Sequence, residues 1–74
     1  MMIDRKHLKT GVIATWDMRL DRGIIRCGEH ELPVSGGVLT EFTVSPHPGL
    51  AVQFATTEYA GRQCVVACLP VLVS

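Results

Sequence analysis

Aromatic residues are scarce in this sequence. Trp16, Phe42, Phe54 and Tyr59 are all it has, a thin supply for a protein that stacks many bases on its surface. Net charge is also missing, because seven basic residues balance seven acidic ones. A strong general binder of polyanions is normally basic, so this balance argues against high nonspecific affinity for DNA or RNA. No apolar run reaches the roughly 18 residues that span a membrane. The cysteines are three, Cys27, Cys64 and Cys68. An odd count argues against a complete disulfide framework, and no secretory leader is legible. The expected setting is a reducing cytosol. No helical period of useful length, internal repeat or low-complexity segment is present.

What remains is an ordinary globular composition. The 74 residues, 47% hydrophobic and 19% charged, suit one small folded domain rather than a disordered chain. A chain this short buries only about 60% of its unfolded surface, so its core is marginal unless something reinforces it. The charge is uneven along the sequence. Residues 1–26 carry Arg5, Lys6, Lys9, Arg19, Arg22 and Arg26 against Asp4, Asp17 and Asp21, a net +3. Residues 27–74 carry Arg62 against Glu29, Glu31, Glu41 and Glu58, a net −3. A basic face and a chance distribution explain this equally well.

Short β-type segments alternate with turns. A polar lead-in over residues 1–9 precedes a domain over residues 10–74. Strands are expected at Thr10–Thr15, Gly23–Cys27, Glu31–Ser35, Leu50–Ala55 and Gln63–Val73, the last interrupted at Pro70. Pro33 should face away from ladder pairing or place its strand at a sheet edge. Turns are expected at Asp17–Arg22, Gly28–His30 and Thr57–Arg62, and a firm loop at Ser45–Gly49, where two prolines fix the backbone. Val38–Val44 reads equally as a helical turn or an irregular loop.

Several residues in this frame carry a family resemblance. Gly11-Val12-Ile13-Ala14-Thr15-Trp16-Asp17, then Met18-Arg19-Leu20, then Asp21-Arg22-Gly23-Ile24-Ile25, resembles the opening of the cold-shock domain. That family reads Gly-hydrophobic-Val-Lys-Trp-Phe-Asn, three residues, then Gly-Phe-Gly-Phe-Ile. Glu31-Leu32-Pro33-Val34-Ser35-Gly36 is similar to its Asp-Val-Phe-Val-His-Phe, and Pro48 to Phe54 to its Glu-Gly-Gln-x-Val-x-Phe. Gln63–Val71 falls where its closing strand lies. The resemblance covers residues 10–71. It implies an all-β fold, a small five-stranded antiparallel OB-type barrel, with Ile13, Ile25, Leu32, Val34, Val52 and Phe54 pointing inward.

The same resemblance implies a ligand face, and there the sequence departs from the family. The family stacks bases on aromatics of adjacent strands, each stack contributing about 1–3 kcal/mol. The corresponding positions here are Thr15, Trp16, Arg22, Ile24, Pro33, Ser35 and Gly36, and Trp16 is their one aromatic. Arg22 and Arg26 can stack through planar guanidinium groups and also meet phosphates. The expected activity is weak binding of single-stranded RNA or DNA through Lys9, Trp16, Arg19, Arg22, Ile24 and Arg26. The alternative is an interaction or self-assembling module that has lost nucleic-acid binding.

Other constellations support no further chemistry. Cys64 and Cys68, four residues apart on one strand, would stand about 13 Å apart at ~3.3 Å per residue, too far for a disulfide or a shared zinc ion. They read as small buried hydrophobes. His7, His30 and His47 are scattered, so no metal site is expected. Asp17 and Asp21 flank one turn and read as its hydrogen-bonding residues rather than as a cation site. Ser35-Gly36-Gly37 lacks the strand–turn–helix setting of a nucleophile elbow. No cofactor and no catalytic activity are expected.

The segment Cys64–Val73 is nearly continuous apolar sequence. A half-exposed strand alternates with polar residues, so one face of this segment is left to meet a partner, a second copy or the chain's own surface. Val65, Ala67, Leu69, Val71, Leu72 and Val73 are the expected contacts of a homo-oligomer.

Overall fold

The structure is a computed structural model that describes residues 8–71. Five strands follow one another: β1 (Lys9–Asp17), β2 (Arg22–Cys27), β3 (His30–Ser35), β4 (Ala51–Tyr59) and β5 (Arg62–Pro70). They form one antiparallel sheet in the order β3-β2-β1-β4-β5. The all-β, five-stranded antiparallel class implied by the alternating sequence is therefore the class observed. No helix among the described residues is long and apolar enough to cross a membrane.

Two interruptions curl the sheet. In β1, Ile13 pairs with Ile25 but Thr15 pairs with Ile24, which leaves Ala14 as an extra residue. In β5, Ala67 pairs with Ala55 but Val65 pairs with Thr56, which leaves Val66 extra. A bulged residue bends its strand and increases the local twist. The first bulge is anchored by the loop before β4. Ile13 N–H donates to the Leu50 carbonyl at 2.9 Å, and Gly49 N–H donates to the Ile13 carbonyl at 2.8 Å. The curl brings the outer strands β3 and β5 near each other. At this seam Cys68 bridges to Leu39, and Thr40 N–H donates to the Cys68 carbonyl at 2.8 Å.

The inner face holds one core of Ile13, Ile25, Val34, Val52, Phe54, Val65 and Cys68. Five of the six expected inward residues are in it, and Leu32 is half-buried against it. Cys68 is fully buried, and loss of solvation pushes its thiol up to about 11. Leu69 is also buried, but it stands outside this cluster and pairs with Gln53 rather than with a core residue.

Several local expectations are corrected. Lys9 belongs to β1, paired with Phe54, and not to a lead-in; residues 1–7 lie outside the described residues. The turn assigned to Thr57–Arg62 shrinks to Ala60-Gly61. Their φ angles of 53° and 78° match the tight type I′ hairpin, which lets β4 and β5 run up to the turn itself. The ambiguous stretch after β3 is a 3-10 turn over Gly36–Val38 followed by irregular chain. Pro33 sits exposed on the outer strand β3, as its missing donor requires.

Candidate functional site

The site begins with rows of residues laid across β1, β2 and β3. Trp16 pairs with Gly23, and Gly23 with Val34. Thr15 pairs with Ile24, and Ile24 with Pro33. Asp17 pairs with Arg22, and Arg22 with Ser35. Strand alternation puts the first row on one face and the other two on the opposite one. All nine line a single cleft of about 760 Å³, which Leu20 from the β1–β2 turn and Cys64 and Val65 from β5 complete. That volume lies within the roughly 300–1,000 Å³ of ordinary ligand clefts.

Trp16 shapes the cleft. Its ring packs partly against the core and stays half-buried at the cleft wall. The ring fits because residue 23 is glycine. A Cβ there would strike the Thr15 carbonyl and lie 2.5 Å from Cε3 of the indole. The β1–β2 turn beside it is held by Asp17. Its Oδ1 accepts the Arg19 amide at 2.9 Å and the Leu20 amide at 3.2 Å, the turn-forming role expected of this residue. Asp21 adopts a left-handed φ of 53°, which short polar side chains tolerate, and its carbonyl accepts the Gly36 amide at 2.8 Å.

Three of the six expected nucleic-acid contacts meet in this cleft: Trp16, Arg22 and Ile24. Arg22 is exposed and makes no ion pair among the described residues. Arg26 is not part of the group. It pairs with Glu31 at 3.1 Å across the β2–β3 hairpin and borders a second depression with Val12, Ile13, Ala14, Gly28 and Gly49. Lys9 is at the other end of β1, seven residues from Trp16, or about 23 Å along an extended strand. Arg19 stands exposed in the β1–β2 turn next to Leu20.

The expected oligomer contacts divide differently from the sequence pattern. Val65 and Leu69 are buried within the chain itself. Both are expected, with Ala67 and Val71, among the contacts of the apolar segment with a second copy. The Val66 bulge shifts the alternation on its Val65 side, turning Val65 into the core beside Cys68. Ala67 and Val71 are half-buried, and Val66 takes the exposed place at 50%. Leu72 and Val73 lie outside the described residues.

Sequence reasoning missed the β5 wall of the cleft. Cys64 and Val65 reach β3 only through the curl of the sheet, and no local pattern announces that. Asp17, expected as a turn residue, also borders the cleft. The three cysteines are unpaired, and Cys64 Sγ points its weak hydrogen bond at the Arg62 carbonyl, 4.0 Å away. Among the described residues, no three histidine, cysteine or acidic side chains are grouped to hold a metal ion. No protein-family model matches this chain, and no curated protein sequence matches it.

Proposed function

We propose that this chain is a small single-stranded nucleic-acid-binding module that holds one base against Trp16 in this cleft. It is a binder rather than an enzyme. The observation that carries this reading is the grouping, in one cleft, of an indole, two apolar sheet residues and an arginine with no ion pair among the described residues. Trp16 offers a stacking surface worth about 1–3 kcal/mol for one base. Ile24 and Pro33 add apolar lining to the cleft, and Arg22 supplies a cation for the adjoining phosphate. One stack and one or two charge contacts give dissociation constants of roughly micromolar or weaker. This is the ligand face that the resemblance to the cold-shock domain implies, reduced from a row of stacks to one. Three unpaired cysteines suit a reducing compartment, and we place the protein in the cytosol.

The test is titration of Trp16 fluorescence with short single-stranded oligonucleotides. Quenching should saturate, weaken with added salt, and fall sharply in Arg22→Glu. Absence of quenching at low salt and high protein concentration would reject the reading.

Self-association through β5 is the second reading, and exposed Val66 is the observation that favours it. A contact built there would centre on Val66, flanked by Ala67 and Val71, rather than on Val65 and Leu69. Sedimentation of the intact chain beside Val66→Lys tests it. A dimer lost in the variant supports it, and a monomer in both removes it.

A further inference from the structure

The turn that joins β4 to β5 is built against the preference of its first residue. Ala60 and Gly61 have φ angles of 53° and 78°. A type I′ turn needs a left-handed backbone at both positions, which Asn-Gly and Gly-Gly supply readily. Alanine does not. Its Cβ crowds the following carbonyl there, which disfavours the left-handed form by about 5–30-fold. The other non-glycine residues with positive φ among the described residues are Asp21 and Glu41, so Ala60 is the one apolar residue held this way.

The strand beyond this turn is held by contacts that do not require it to belong to the same molecule. β5 forms its ladder with β4, from Val52 and Pro70 at one end to Tyr59 and Arg62 at the other. On its far side, Leu39 bridges to Cys68 and Thr40 N–H donates to the Cys68 carbonyl. The side chains of Val65, Cys68 and Leu69 are buried. A β5 supplied by a second copy makes every one of these contacts equally well.

We propose that this chain exchanges β5 between two copies, with Ala60-Gly61 as the hinge. Opening the turn runs β4 into β5 as one long strand, in which Ala60 takes the extended, negative-φ backbone that it prefers. Each β5 then lies on the β4 of the partner subunit and remakes the same ladder and the same core. Two strained turns disappear per dimer, and no native contact outside the turn is given up; a short hinge under strain favours exchange for this reason. Lost freedom on pairing opposes it, so the dimer forms at high protein concentration. The cleft is shared in this dimer. Cys64 and Val65 line it and lie beyond the hinge, so each cleft takes Trp16, Arg22 and Ile24 from one chain and its β5 wall from the other. The inference rests on backbone and register and stands apart from the nucleic-acid reading. It also differs from a surface contact through Val66, which stays outside the core in either form, so Val66→Lys should leave the exchanged dimer intact.

The experiment refolds the chain from urea at low and at high protein concentration and reads its mass by sedimentation. The native chain should be a monomer in the first sample and a dimer in the second. Ala60→Asn gives the turn its preferred Asn-Gly sequence. It should raise the dimer dissociation constant at least about 25-fold, a factor of about five for each of the two turns. Gly61→Ala acts the other way. Its added methyl meets nothing within 4 Å, so it adds left-handed strain without a clash and should lower the constant by a similar factor. Thr57→Cys identifies the exchange itself. Thr57 pairs with Cys64 across the ladder, and antiparallel partners stand about 4.5–5.5 Å apart at Cα, within the range a disulfide spans. The oxidised bridge lies within one chain in the closed hairpin and joins two chains in the exchanged dimer. A denaturing, non-reducing gel should show linked pairs from the high-concentration sample, and single chains when Ala60→Asn is added. A monomer at every concentration, a dimer indifferent to both turn variants, or single chains alone on the gel would overturn the exchange.

Discussion

Gly23→Ala tests whether the cleft and the fold share one support. Alanine at a strand interior normally gains about 0.5–1 kcal/mol over glycine from reduced chain entropy. Here the added methyl would meet the Thr15 carbonyl, which is backbone, and lie 2.5 Å from the indole of Trp16. The carbonyl moves only with its strand, so β1 and the ring must both give way. Overpacking of this kind costs typically about 1–3 kcal/mol, and the net expectation is a loss of about 1–2 kcal/mol. A domain of this length has only about 4–11 kcal/mol of stability, at about 0.05–0.15 kcal/mol per residue. The assay is urea unfolding followed by far-ultraviolet circular dichroism. With a slope near 1 kcal/mol per molar, the midpoint should fall by about 1–2 M. Gly37→Ala is the control, because its added methyl would meet nothing closer than Ser35 Oγ at 4.0 Å. That variant should stay within about 0.5 kcal/mol of the native chain. Gly23→Ala should also shift the Trp16 emission of the folded state. A Gly23→Ala midpoint equal to or above the native one would refute the packing of Trp16 over Gly23.

Three further expectations follow from the core. The buried Cys68 thiol ionises near 11 in the folded chain against an ordinary 9.0, so its contribution is complete below pH 9. It is lost as pH rises from 9 to 11, by about 2–3 kcal/mol. Urea midpoints at pH 8 and pH 10.5 should fall further for the native chain than for Cys68→Ala, and equal falls would contradict the burial of this thiol. Phe54→Ala should cost about 3–5 kcal/mol and leave the chain close to unfolding, read by thermal denaturation. Leu69→Glu should lower the melting temperature severely, since it places a charge in a buried site. Val66→Glu, at a half-exposed position, should shift it little. A Leu69→Glu variant melting with the native chain would show that Leu69 is not buried.

Much of the fold was legible because alternation and turn chemistry are local. Ile13, Ile25, Val52 and Phe54 are inward residues that the resemblance to the cold-shock domain implies, and all four are buried. Of the two placements that the missing donor of Pro33 allows, the structure has the outer strand. What was not legible is non-local or depends on a single extra residue. Nothing around Val66 signals a bulge, so Val65 is expected at an oligomer contact, whereas the bulge turns it into the core. Part of the cleft lining was readable as well. Trp16, Arg22 and Ile24 cluster because β1 and β2 are sequential and their register follows from one turn. Arg26 left the group through pairing with Glu31, its cross-strand neighbour, a contact that depends on the register of the β2–β3 hairpin. Cys64 and Val65 line the cleft because the curl of the sheet brings β5 near β3, which no stretch of sequence encodes alone.

The central claim is that the cleft over β1, β2 and β3 holds single-stranded nucleic acid. Amide chemical-shift mapping of the labelled chain during addition of oligo-dC tests it most directly, because each amide reports its own position. The account predicts progressive shifts confined to Thr15–Asp17, Arg22–Ile24 and Val34–Ser35, with Lys9 and Arg26 unmoved. Shifts centred on Val66 and Ala67, or none at saturating oligonucleotide and low salt, would contradict it.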